Sequence, residues 1–343
     1  MQKRIITPGP LHDEQGRLIE TGYATELIKT YDRNRIAAGK KRIKEWDYYA
    51  VCTDRFALAL TIDHNGYMTM DSISLMDFEK NTQTTKSVIG LPFMKKRDLP
   101  ATSAKGNILT KGKGYLLSFE NDGQDRRLTG YMNDFSGGET ISFDLFLTDA
   151  PKESMVIVTP FKDDPKAFYY NQKINCMRVD GCIRVGTEEY RCDPADTFAV
   201  LDWGRGVWTY DNTWYWGSAS GLVNGVPFGF NIGYGFGDTS AASENVLFYD
   251  GKIHKLSQVK FAIPQKDGKD NFMARWKFTS DDRRFRMKFE PVMDRSSKTN
   301  LGVICSDQHQ VFGRFSGVAI LDNGRKIKID RMMGFAEKVR NKW

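Results

Sequence analysis

A chain of 343 residues with 40% apolar and 13% aromatic side chains can bury a sizeable core, which excludes a disordered polymer and favours two domains over one. No run approaches the ~18 apolar residues a membrane helix needs, and the N-terminus lacks the apolar segment and cleavage site of a secretory signal. The net charge of +7 suits an anionic partner, but the basic residues are spread along the chain and the densest run, Gly39–Trp46, is too short for a nucleic-acid arm, so a solvated basic surface is expected.

The first 45 residues are irregular, with one short basic helix expected from Asn34 to Ile43, capped by Asp32 or Asn34. From Trp46 onward the texture is β. Tyr48–Thr53, Phe56–Asp63 and Tyr67–Phe78 are rich in aromatic and β-branched residues, and Asn65-Gly66 is a strong hairpin signal. Further strands are expected around Gly106–Lys111, Tyr115–Glu120, Arg126–Asn133, Thr140–Leu147, Met155–Thr159, Ala167–Val179 and Cys182–Val185, with Asp180-Gly181 as a turn between the last two. Asp193-Pro194-Ala195-Asp196 is the clearest break in mid-chain. A second β series follows, including Phe272–Thr279, Arg284–Glu290 with one wet face, and Val311–Leu321 paired with Lys326–Asp330 across Asp322-Asn323-Gly324. Gly334–Trp343 reads as a final strand or short helix. No βαβ spacing occurs, so the pattern predicts two antiparallel sandwiches or barrels.

Familiar catalytic motifs are missing. There is no Walker loop, Gly233–Gly237 lacks the dinucleotide spacing, and Gly217–Gly221 resembles a nucleophile elbow with alanine where serine is required. The four histidines are far apart and no Cys-x-x-Cys exists, so neither a metal nor a cofactor is expected. The five scattered cysteines read as free thiols in a reducing cytoplasm.

The densest chemistry lies between Ala199 and Gly237, where Trp203, Trp208, Trp214 and Trp216 fall close together beside Asp202 and Arg205. Strand parity puts Trp214, Trp216, Ser218 and Ser220 on one face. In the next strand Gly229, Asn231, Gly233, Gly235 and Gly237 share a face, leaving room that either a neighbouring tryptophan or a ligand fills. Asp202 among tryptophans is a candidate general acid if desolvation dominates. Arg205 beside it would instead hold it ionised, as a buried ion pair between the domains. Tyr210, Asp211, Tyr215, Asp238 and Glu244 are secondary polar candidates.

Several segments carry a resemblance: Lys44–Tyr49, Asp202–Trp208, Trp214–Trp216, Phe289–Pro291, Gln310–Gly317 and Gly334–Trp343. On these the chain is identified as a member of the bacterial family called domain of unknown function 2804. More distantly it resembles the carotenoid hydratase and AttH-like group, whose members are two lipocalin-like barrels in tandem and include enzymes acting on apolar polyenes. Asp202 corresponds to that group's motif aspartate, and Trp214 and Trp216 to its paired tryptophans. Trp203 stands where the group has histidine, and Arg205-Gly206 where it has a polar residue and Trp-Gly.

The expected protein is therefore all-β, with two tandem lipocalin-like (calycin-type) antiparallel β-barrels or curved sheets. Its expected divisions are an N-terminal extension over 1–45, a first barrel over 46–192 and a second over 193–343. Its expected function is to hold a small apolar molecule in an aromatic pocket, with acid-assisted hydration, elimination or isomerisation at a double bond if it is an enzyme. Asp202 and Arg205 are the candidate catalytic residues, and Trp203, Trp208, Tyr210, Trp214, Trp216 and Asn231 the candidate ligand contacts. A non-catalytic lipid carrier or sensor and a carbohydrate-active protein are the alternatives. No nucleic-acid partner and no integral membrane segment are expected, and the expected location is cytoplasmic.

Overall fold

A computed structural model describes residues 2–92, 97–300, 302 and 305–342. It is nearly all strand, arranged as two strongly curved antiparallel sheets, one of 13 strands and one of 9. The alternation that marks Phe285–Glu290 as a strand works as expected: Phe285, Met287 and Phe289 enter a core while Arg286 and Lys288 face water. Asn65-Gly66 closes the hairpin between Phe56–His64 and Thr69–Asp77, with Gly66 in the left-handed region that the turn requires.

The first sheet runs Thr82–Gly90, Thr69–Asp77, Phe56–His64, Ile43–Cys52, Phe198–Val207, Asp164–Val185, Glu139–Thr148, Arg126–Ser136, Tyr115–Asn121 and Ile108–Gly112. Its inner face holds a large apolar core that includes Tyr49, Leu58, Leu60, Phe119, Leu128 and Trp203. The second sheet runs Lys252–Lys255, Val246–Tyr249, Val226–Tyr234, Asp211–Val223, Lys326–Lys342, Cys305–Ile320, Phe285–Asn300, Trp276–Ser280 and Val259–Ala262, around a core of Phe228, Phe230, Trp276, Phe278, Phe289 and Phe315. A third apolar cluster joins the outer faces of the two sheets. Tyr48, Ala50, Ala57, Ala59 and Val200 of the first meet Trp216, Met293, Phe312 and Phe335 of the second. We call this contact the seam. Small alanines on one side admit large aromatics from the other, which is how two sheets approach at packing distance.

Three local expectations need correction, and the structure chooses strand over helix for the last segment. The single basic helix is two separate 3-10 turns, Arg33–Arg35 and Lys40–Arg42. Asp32 does cap the first, accepting from the Asn34 amide at 2.9 Å, but Ile43 is buried as the opening residue of a strand and ends the helical stretch. Asp180-Gly181 is not a turn: Asp164–Val185 continues through it as one 22-residue strand. That strand bends earlier, at a bulge between Ile174 and Met177 where Cys176 has φ +63°. Gly334 onward is strand, part of Lys326–Lys342, while Trp343 lies outside the described residues. Finally, Phe198–Val207 hydrogen-bonds between Ile43–Cys52 and Asp164–Val185. The break at Asp193–Thr197 therefore returns the chain to the first sheet, and sheet membership changes between Val207 and Asp211. The strand Thr82–Gly90 shows no apolar alternation because it is an edge strand with one exposed face. All five cysteines are free.

Candidate functional site

Parity along Phe198–Val207 sorts the central motif. Leu201, Trp203 and Val207 enter the first core, and Arg205 goes with them, with no exposed surface. Its guanidinium donates to Asp47 Oδ1 at 3.0 Å and to the carbonyls of Trp46, Gly204 and Pro100, each at 2.8 Å. It also lies over the Trp203 ring, 4.3 Å from the centroid. Asp202 points the other way, into the seam. The expected Asp202–Arg205 pair is therefore absent, because successive side chains of a strand occupy opposite faces and these two residues differ by an odd number.

The partner of Asp202 is Lys173, from the adjacent strand. Its ammonium lies 2.8 Å from Asp202 Oδ2 and 4.0 Å from Glu244 Oε2, and it sits 3.9 Å over the centre of the Trp216 ring. Asn171 donates to the other Asp202 oxygen at 2.5 Å. The second sheet completes the cluster. Trp216 Nε1 donates to Asn231 Oδ1 at 2.6 Å, and the Asn231 amide donates to Glu244 Oε2 at 3.0 Å. Trp214 Nε1 donates to Glu337 Oε1 at 3.0 Å, and Gln310 donates to its other oxygen at 3.1 Å. Tyr48 and Arg295 engage the same Gln310. One ammonium thus stands among three carboxylates contributed by both sheets.

Burial governs the electrostatics. Desolvation pushes the Glu337 carboxyl up to about 7, with the negative charge of Asp202 adding to it and Trp214, Lys173 and Arg295 opposing it. Glu244 is raised for the same leading reason, against Lys173 and the Asn231 amide. The Tyr169 phenol is pushed well above its usual value by burial and by the nearby Glu244, Asp202 and Glu337. A carboxyl that titrates near neutrality can deliver and recover a proton there.

Beside this polar group lies an aromatic one. Trp208 meets Trp46 edge-on at 5.3 Å, Trp214 at 5.8 Å and Phe236 at 4.9 Å. Tyr169 stacks on Trp46 at 6.0 Å. Trp46, Trp208 and Trp214 are only half-buried, and Trp214 reaches the charged cluster through its hydrogen bond to Glu337.

Of the sequence-derived candidates, Asp202, Trp214, Trp216 and Asn231 come together in the seam, and Trp208 joins them through Trp214. Trp203 and Arg205 lie in the first core instead. Tyr210 is 54% exposed, in a bend outside the cluster. Asp211 pairs with Arg340 and Lys342 at the surface, Tyr215 stacks on Tyr234, and Asp238 lies 3.8 Å from Lys162. The room left by glycine is filled by polar groups. A Cβ on Gly233 would meet the Glu244 carboxylate, and one on Gly229 the Cys176 sulfur.

Sequence reasoning missed Lys173, Glu337 and Tyr169 and ranked Glu244 low. Lys173 and Tyr169 sit unremarkably inside a long strand, and Glu337 lies in the last one. Only register across the sheets reveals them. A depression of about 520 Å³ elsewhere is lined by Lys266, Asp267, Lys269, Asp270, Phe272 and Asp294, none of them in the seam.

The sequence matches the family described as a domain of unknown function (DUF2804) over residues 2–343, and the chain belongs to that family. Among solved structures, the fold is similar to a putative AttH from Nitrosomonas europaea, at 13% identity over 92% of this chain and 98% of that one, with TM-score 0.56. It is also similar to CghA with Sch210972, at 12% identity over 88% of each chain and TM-score 0.52. Kievitone hydratase from Nectria haematococca is 10% identical over 97% of this chain and 98% of that one, with TM-score 0.47. At these identities the likeness is one of fold: tandem, curved, lipocalin-like sheets. No curated protein matches the sequence.

Proposed function

We propose that this member of the DUF2804 family binds a small, largely apolar molecule against Trp46, Trp208 and Trp214 at the seam, and that Glu337 protonates a double bond of it. Trp214 carries the reading. Its ring belongs to the half-buried aromatic group while its indole N–H holds a carboxyl that titrates near neutrality. Apolar floor and proton source are thus linked by a single side chain.

In the step envisaged, the Glu337 O–H bond breaks and a C–H bond forms at the alkene. The face of an indole stabilises the cation so produced. Water then adds to the cationic carbon and returns a proton to the Glu337 carboxylate, so the net change is alkene plus water to alcohol. Lys173 keeps a cation over Trp216 and Lys44 lies 5.8 Å from the centre of the Trp208 ring, which leaves Trp46 and Trp214 to face the cation of the ligand. Asp202, held by Lys173 and Asn171, serves as the fixed negative charge that favours a protonated Glu337 rather than as the donor.

The test uses retinol as the apolar probe. Saturable quenching of tryptophan emission, weakened at least tenfold by Trp214→Ala, supports the reading. Equal quenching in that variant, or saturable binding of a maltooligosaccharide in its place, overturns it. A retinol-sized ligand bound without any gain of water on prolonged incubation assigns the site to a carrier and removes the role of Glu337.

A further inference from the structure

The basic residues that look scattered in sequence are gathered by the second sheet. Lys260, Lys277, Arg286, Lys288, Lys326 and Lys328 all point outward and are exposed. Register places them in adjoining rows. Lys260 is opposite Thr279, Thr279 opposite Arg286, Arg286 opposite Val318, and Val318 opposite Lys328. In the next row Lys277 stands directly opposite Lys288.

None of the six makes an ion pair among the described residues. Glu290, at the margin of the face, is already taken by Arg275 and Arg331 at 3.1 Å each, and Asp330 stands at the other margin. Like charges directly opposite each other destabilise an antiparallel pair, and neighbours within the ~8 Å screening length add to that cost. Folding does not require these charges, because the rows face water and the core beneath consists of Phe278, Phe285, Met287 and Phe289. The face is also remote from the seam. The three long strands beneath it carry Met293, Phe312 and Phe335 to the seam, and the four cations on two of them lie farther along the strand.

We propose that this face docks on an anionic bilayer surface. Strands about 4.8 Å apart, with outward residues about 6.7 Å apart along each, spread the charges over two dimensions, as lipid headgroups are spread. A nucleic acid would ask for other features. The exposed outward positions of these five strands hold no aromatic residue for a base to stack on, and the face offers no helix or ribbon to enter a groove. Val318, 38% exposed at the centre of the rows, gives an apolar contact at headgroup depth.

The proposal is tested by co-sedimentation with phosphatidylcholine vesicles with and without phosphatidylserine. Each basic residue at such a surface is worth about fivefold in partitioning. The triple variant Lys260→Gln, Lys277→Gln, Lys288→Gln should therefore lose binding on the order of a hundredfold. The control Lys105→Gln, Lys113→Gln, Lys152→Gln has the same net charge and alters exposed lysines outside the face, so it should change binding only a few-fold. Binding should require phosphatidylserine and weaken in high salt. Equal loss in both triple variants, equal binding to pure phosphatidylcholine, or no binding by the native chain overturns the proposal. So does displacement of the protein from vesicles by a DNA duplex that needs the same three lysines. Thermal unfolding of both variants at or above the native midpoint, the face variant gaining from relief of the Lys277–Lys288 repulsion, shows that any loss is one of docking.

Discussion

Asp202 and Arg205 share one strand yet serve opposite sides of the first sheet, Asp202 pairing with Lys173 at 2.8 Å in the seam and Arg205 with Asp47 at 3.0 Å inside the barrel. Two buried ion pairs thus stand back to back, and they should respond differently to mutation.

Arg205→Met should destabilise strongly and leave ligand binding by the folded protein unchanged. It strands the Asp47 carboxylate in an apolar interior and frees three backbone carbonyls. Removing one partner of a buried pair costs about 3–5 kcal/mol. Urea denaturation measures the loss, and retinol titration of the folded fraction checks the second half of the expectation.

Asp202→Asn should act chiefly on Glu337. Removing the nearby negative charge takes away one of the causes that hold its carboxyl near 7, so its titration should move to lower pH. Lys173 retains Glu244 at 4.0 Å, and the loss of stability should be smaller than for Arg205→Met. Carboxyl-stretch infrared spectroscopy across pH reads the shift directly, and an unchanged titration would separate Asp202 from the site.

Stability should pass through a minimum near neutral pH. Glu337 is raised from 4.5 to about 7, so the folded state holds a proton that the unfolded chain releases, and stability falls as pH rises from about 4.5 to 7. Lys255 is lowered from 10.5 to about 7 by burial, so above pH 7 the unfolded chain binds the extra proton and stability climbs again. Asp63, raised from 3.8 to about 7 by burial, adds a slope of the same sign, so Glu337→Gln should remove only its own share of the acid-side slope, about 3 kcal/mol at most, while leaving the alkaline rise in place. Denaturation midpoints from pH 5 to 9 decide it.

Gly204→Ala tests how the aromatic group is seated. Gly204 lies directly beneath the Trp46 indole, and a methyl group there would overlap the ring. The variant should destabilise by about 1–3 kcal/mol, as overpacking does, and shift tryptophan emission to the red as Trp46 is displaced. Retinol binding should weaken in parallel, since Trp46 packs on both Trp208 and Tyr169.

Trp214→Phe keeps an aromatic ring and loses the N–H that holds Glu337. Ligand affinity should fall only a few-fold, while the Glu337 titration moves upward because a stabilising hydrogen bond to the carboxylate is gone. A large loss of affinity with no change in titration would show that the ring alone matters.

Sequence by itself determined what depends on neighbours along the chain. Period-two alternation and dipeptides such as Asn65-Gly66 specified an all-β protein of hairpins, because side-chain direction and turn conformation are set within a few residues. The same locality put Trp214, Trp216 and Asn231 on the face that proves to be the seam. The tertiary structure decided everything that depends on which strands become neighbours. Asp202 found Lys173 rather than Arg205, Trp214 found Glu337 at a sequence separation of 123, and six scattered cations became one face. Register between distant strands brings such groups within a few ångströms, and the strength of a charge interaction depends on that distance and on burial, neither of which is written in the spacing of residues along the chain.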